Sequence, residues 1–163
     1  MNIRQVELSD SAQVAEIYNY YIKNTHHTFE TDPLSGDEMQ KRIENVTEDH
    51  PFLVAEEDGE ILGYAFAAQF KMRQAYEYSA EVSIYVKNEA KQRKIGTQLY
   101  VELFDRLRET NVHAIVAGIS LPNDASVSFH ERLGFEKVAH FREIGYKLGR
   151  WIDVGYWEMI NRI

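Results

Sequence analysis

Apolar and polar positions recur with periods that change from segment to segment, and the changes mark the elements of the chain. Residues 2–7 alternate as a short strand. After Ser9-Asp10, a dipeptide suited to capping a helix, Val14, Ile17, Tyr18 and Tyr21 fall at i, i+3, i+4 and i+7 and predict a first helix. Residues 24–34 read as a loop, and 35–46 carry a weaker helical pattern. Strands at 52–56 and 61–70 flank Asp58-Gly59, a pair that favours a tight hairpin because glycine tolerates positive φ. Residues 78–86 alternate strictly, with Ala80, Val82, Ile84 and Val86 on one face and Glu81, Ser83 and Tyr85 on the other. Ile95, Leu99, Leu103 and Leu107 then recur every fourth residue and predict a long helix over 95–109. A compact apolar strand at 113–119 leads to a helix capped by Asn123 or Asp124 and stopped at Gly134. Two strands, 135–146 and 151–159, complete the order β α α β β β α β α β β. Such an order describes an α/β (α+β) domain with a mixed sheet and helices on its faces, neither Rossmann nor all-β.

Composition narrows what this domain does. At 163 residues with no repeat, linker or composition break, residues 1–163 are expected to form one domain around one core. The absence of cysteine removes disulfides, thiolate metal sites and cysteine nucleophiles together. No HExxH or His-x-His pattern supports a metal, and no G-x-S-x-G elbow or Walker loop supports a hydrolase or P-loop enzyme. A formal charge of -8 opposes general attraction to nucleic acid or anionic lipid. The N-terminal segment has no cationic start followed by an apolar core, so the expected location is the cytoplasm.

Within this acidic chain the segment 87–94 stands out, since Lys87, Lys91, Arg93 and Lys94 outnumber the single acidic residue Glu89. It enters the 95–109 helix, whose first N–H groups lack intrahelical partners and attract phosphate. Charge alone fits a solvated turn as well. Glu81 lies mid-strand just before this segment, where it is either a solvent-face carboxylate or, if partly buried, a base with a raised pKa. His130 shares a helical stripe with Ser126, Val127 and Leu133, consistent with a core histidine or with a proton carrier.

Longer motifs decide between these readings. KQRKIGTQLY resembles the pyrophosphate loop of the GNAT acyltransferases, although Lys91 stands where Gln or Arg is usual and Lys94 where the first Gly is expected. AEVSIYV (80–86), GISLPNDASVSFHERLGF (118–135), GYKLGRWIDVGYWE (145–158) and YNYYIKNTHHTFETDP (18–33) resemble phosphinothricin acetyltransferase and its methionine sulfoximine-acetylating relatives over almost the whole chain. The resemblance implies a single GNAT domain, mixed but mostly antiparallel in its sheet, that uses acetyl-CoA as acetyl donor and no metal. It implies Glu81 as catalytic base, with His130 as a second proton carrier. Ile84, Tyr85 and Val86 would form the edge for acetyl and pantetheine, and a backbone N–H there would hold the developing oxyanion. Gln92, Arg93, Lys94, Ile95, Gly96 and Thr97 would cradle the pyrophosphate, and Asn123 would also touch the cofactor. Phe29, Lys71, Met72 and Arg73 would bind an amino-acid-like acceptor, Lys71 and Arg73 by clamping its carboxylate. A homodimer is expected from the same likeness, with no nucleic-acid or membrane partner. Competing expectations are acetylation of a protein N-terminus or a polyamine, and a non-catalytic acyl-CoA sensor.

Overall fold

A computed structural model describes residues 1–91 and 93–161. It contains β1 (Asn2–Gln5), α1 (Ser11–Asn24), α2 (Gly36–Thr47), β2 (Phe52–Glu57), β3 (Glu60–Gln69), β4 (Ser79–Val86), α3 (Ile95–Arg108), β5 (Ala114–Leu121), α4 (Asp124–Arg132), β6 (Glu136–Lys147) and β7 (Arg150–Ile160). The seven strands form one sheet in the order β1-β2-β3-β4-β5-β7-β6. Every neighbouring pair is antiparallel except β4 with β5, so the mixed, mostly antiparallel sheet is the one expected.

The two faces of the sheet carry separate cores. On one, α3 buries Ile95, Leu99, Leu103 and Leu107 against Leu53, Ala65, Val82 and Ile115. On the other, α1 and α2 bury Val14, Ile17, Ile22, Met39 and Ile43 against Phe52, Val54 and Tyr64. With helices above and below, β2 is apolar at successive positions, whereas β4 keeps its alternation because one of its faces lines a cavity. The β2–β3 turn has Asp58 at φ 52° and Gly59 at φ 83°, the paired positive φ values of a tight hairpin.

One local expectation is corrected. Asp10 stands at the N-cap position of α1, but its carboxylate makes no bond to that helix. It accepts the Glu7 N–H at 2.8 Å and two bonds from Arg4 at 2.8 and 2.9 Å, because the short turn Leu8–Asp10 folds it back toward β1.

The feature that positions the site is a divergence within the sheet. Pairing of β4 with β5 covers only Ser79–Glu81 against Ala114–Val116, although β4 stays paired to β3 through Val86. Beyond Glu81 and Val116 the two parallel strands part, opening a wedge in the middle of the sheet. The Ser79 carbonyl accepts from Phe70 and the Lys87 N–H donates to Leu62, so odd-numbered backbone groups of β4 face β3. Alternation turns the N–H groups of Ile84 and Val86 into the wedge.

Candidate active site

Two cavities meet at this wedge. One, of about 650 Å³, runs from the start of α3 along Ile84–Val86 to α4; the other, of about 670 Å³, lies over the opposite face of the sheet. Both are bordered by His27, Ser83, Tyr85, Gly118 and Ser120. The floor of the second cavity is a grid set by strand register. Glu81, Val116 and Glu158 form one row, and Ser83, Gly118 and Tyr156 lie along the next level.

Glu81 is half-buried and makes no hydrogen bond or ion pair among the described residues. Burial raises its carboxyl pKa, which suits a base working near neutrality. A β-carbon at Gly118 would stand 3.1 Å from Glu81 Oε1 and 3.3 Å from the Tyr156 ring, so this glycine leaves the room in which the carboxylate lies. Burial, and then the charge of Glu81, raises the Tyr156 phenol in turn.

At the entrance to α3, Lys94 adopts φ 58° and ψ 18° immediately before the first helical residue. That left-handed conformation is the one glycine takes at little cost, so the lysine carries about 1 kcal/mol of backbone strain in exchange for a cation. The first intrahelical bond of α3 is Gln98 N–H to the Lys94 carbonyl at 3.2 Å, which leaves the N–H groups of Ile95, Gly96 and Thr97 for an anion. Gly96 lets α3 approach β4 and α4, since a β-carbon there would already touch Ile84 and Phe129 at 3.4 and 3.5 Å.

The loop's cations do not act as a block. Arg93 is held by both carboxylate oxygens of Glu57, at 2.8 and 2.7 Å, and does not border the groove; Lys87 is paired with Glu60. Lys91 and Lys94 do border it, Lys91 with its ammonium 5.3 Å from the centre of the Tyr21 ring. Gln92 lies outside the described residues. Ile84, Tyr85, Val86, Ile95, Gly96, Thr97 and Asn123 all line the groove, and Asn123 also caps α4 by accepting the Ser126 N–H at 3.2 Å.

His130 lies on the groove side of the wedge and does not border the cavity that holds Glu81. Its Nδ1–H donates to the Ser126 carbonyl at 2.8 Å, which leaves Nε2 to accept from the Tyr100 hydroxyl at 3.2 Å. Burial lowers the imidazole pKa, and the same burial holds the Tyr100 phenol far above its usual value. The histidine is therefore neutral and an acceptor in this arrangement.

On the acceptor side, Phe29 and Lys71 border the cavity, while Met72 is 88% exposed and Arg73 is exposed and does not border it. Lys71 Nζ sits 5.3 and 5.6 Å from the Phe70 and Tyr76 ring centres, and the chain then turns through Gln74–Tyr76. The Phe29 ring packs where a side chain on Gly145 would be, with Cε2 2.3 Å from the β-carbon position. Sequence reading gave no site role to Gly118, Tyr156, Glu158 or Gly145. Alternation marks Tyr156 and Glu158 as strand residues, but only register places them beside Glu81. Among the described residues no group of His, Asp and Glu is arranged to hold a metal ion, and no helix is long and apolar enough to cross a membrane.

A groove offering free helix-terminal N–H groups, joined through a gap in a sheet to a carboxylate-bearing cavity, suits an extended anionic thioester meeting an amine. Comparison with known proteins agrees. Residues 3–155 match the Acetyltransferase (GNAT) domain. Phosphinothricin N-acetyltransferase of Streptomyces viridochromogenes is 36% identical over 97% of this chain and 86% of its own length. L-methionine sulfoximine/L-methionine sulfone acetyltransferase of Salmonella typhimurium is 32% identical over 98% and 94%. Among solved structures, a ribosomal-protein-alanine N-acetyltransferase from Brucella melitensis superposes with TM-score 0.95 at 33% identity, covering 98% of this chain and 99% of that one. A phosphinothricin acetyltransferase from Sinorhizobium meliloti, in complex with acetyl-CoA, gives TM-score 0.94 at 32% identity, covering 98% and 87%. With the domain match, these identities and the shared fold, the chain belongs to the GNAT acetyltransferases and is an acetyl-CoA-dependent N-acetyltransferase.

Proposed function

We propose that this enzyme acetylates the α-amino group of a small amino-acid-like acceptor, the class to which phosphinothricin, methionine sulfoximine and methionine sulfone belong. The observation that carries the reading is the unpartnered, half-buried Glu81 carboxylate in a cavity that opens directly onto the cofactor groove. Attack is direct: the amine nitrogen bonds to the acetyl carbonyl carbon, the carbon–sulfur bond breaks and coenzyme A departs as its thiolate. Glu81 takes the proton that the amine must lose, either itself or through a water. A backbone N–H of the Ile84–Val86 stretch receives the carbonyl oxygen, and the N–H groups at the start of α3, with Lys91 and Lys94, hold the diphosphate. His130, neutral with Nε2 toward the Tyr100 hydroxyl, is a second proton carrier on the groove side, and Lys71 takes the acceptor's carboxylate. The enzyme works in the cytoplasm as a homodimer. Exposed Tyr146, Leu148 and Trp151 on the β6–β7 hairpin support the last point.

Glu81→Gln tests the assignment, because it keeps the shape and removes the base. Turnover is expected to fall 100-fold or more, within the range general bases contribute, with coenzyme A affinity by calorimetry unchanged. Equal turnover in the two proteins removes Glu81 from the role. A second reading, acetylation of a protein N-terminal residue, is favoured by the Brucella melitensis neighbour. Thiol release with a short peptide but with no free amino acid would establish it instead.

A further inference from the structure

We infer that Glu158 makes this enzyme selective for acceptors with a second cationic nitrogen, so that the acceptor class is a basic amino acid ending in an ammonium or guanidinium group. The inference rests on the amino-acid reading above and concerns the far end of the same cavity. Val116 on β5 is in register with Glu81 on β4 and with Glu158 on β7, and all three line the cavity floor. Glu81 and Glu158 are thus two strand spacings apart, about 10 Å across the sheet at roughly 4.8 Å per step. Glu158 is half-buried and takes part in none of the ion pairs of the described residues. The lysine on the neighbouring strand does not neutralise it. Lys137 pairs in register with Trp157 on the other face, with Nζ over the Trp157 ring at 5.3 Å and 2.9 Å from His140 Nδ1.

Charge is therefore laid out in order across the cavity. Lys71 follows β3 on one side of Glu81, and Glu158 lies on the other side. An amino acid whose carboxylate meets Lys71 and whose α-amine meets Glu81 directs its side chain over Val116 toward Glu158. A cationic end satisfies that carboxylate with a charge-assisted bond. An anionic end is repelled, and an apolar end strips water from the carboxylate with nothing in return.

Thiol release from acetyl-CoA with lysine, ornithine and arginine, against neutral methionine sulfone and anionic phosphinothricin, tests this in the wild type, Glu158→Gln and Glu158→Lys. We expect the wild type to favour at least one basic amino acid over methionine sulfone by tenfold or more in kcat/KM. That ratio should fall at least tenfold in Glu158→Gln, and Glu158→Lys should move phosphinothricin ahead of the basic acceptors. Coenzyme A binding by calorimetry establishes that each variant is folded. If a variant does not bind it, the wild-type order decides alone, and methionine sulfone ahead of all three basic amino acids overturns the inference. The same acceptor ratios in wild type and Glu158→Gln overturn it too, while leaving acetylation of amino acids in place. Release of thiol with no amino acid at all removes both readings.

Discussion

The buried carboxyl of Glu81 is a cost to the fold. Burial raises its pKa above that of the unfolded chain, so as pH rises the unfolded state loses its proton first and the native state is left holding a carboxyl that burial discourages from ionising. The stability associated with the protonated group is full below the ordinary carboxylate range and is lost as pH climbs through the raised native value. Glu81→Gln, which cannot ionise, is therefore expected to melt higher than wild type at neutral pH and at the same temperature in acid below that range; parallel thermal scans across pH measure the gap. A gap that is constant with pH would mean that the carboxylate is no more buried in the native state than in the unfolded one. Lys94 is a similar compromise, with a strained backbone accepted where a cation is useful. Its sequence position announced the departure from glycine, but only the dihedral angles show that the chain keeps the left-handed turn regardless. The face that Glu81 shares with Ser83 and Tyr85 was legible from strict alternation over 78–86, but its reading as a base came from the family resemblance, since alternation fits a solvent-face carboxylate as well. Glu158 was not legible, because the residue opposite it is chosen by inter-strand register and no local pattern encodes that.

The elements were largely readable for one reason: their periods are clean. The every-fourth spacing of Ile95, Leu99, Leu103 and Leu107 in α3 and the Asp58-Gly59 turn leave little room for other conformations. Caps were less so. Ser35 closes a reciprocal capping box with Glu38, whereas Asp10, equally suited in sequence, is claimed by Arg4 from β1. Packing between elements also supplies constraints that no window of sequence contains, and Gly145 is the sharpest. Its missing β-carbon gives β6 the hollow that seats Phe29 from the α1–α2 loop. Gly145→Ala should displace the exposed Phe29 ring at a cost of less than about 1 kcal/mol, and Phe29→Ala in the same chain should recover most of that loss. Urea denaturation of the two single variants and the double variant gives the coupling. Additive losses would show that the ring does not depend on this hollow.

At the scale of the whole molecule the decisive feature is where β4 and β5 part. Strand order and the single parallel pair follow from connectivity, since α3 forms the crossover between them. The length of the pairing does not, and it is what turns a continuous sheet into two cavities sharing a border. Net charge read from composition opposes general attraction to polyanions, yet the groove presents Lys91 and Lys94, while Glu60 and Glu57 hold Lys87 and Arg93 in ion pairs. An acidic protein can thus offer a polyanionic thioester a locally basic groove.

Because β4 leaves its parallel neighbour after three residues, it is an interior strand with an edge strand's exposed amides. A pantetheine arm lying there would act as a short extra strand, completing the ladder from outside the polypeptide. Hydrogen–deuterium exchange should accordingly be fast at Ile84 and Val86 in the free enzyme and slow on saturation with coenzyme A, while Ser83 and Tyr85, already bonded to β3, change little. The cofactor would then be a structural member of the sheet as well as a reagent, and the enzyme would be most cohesive while loaded for a reaction.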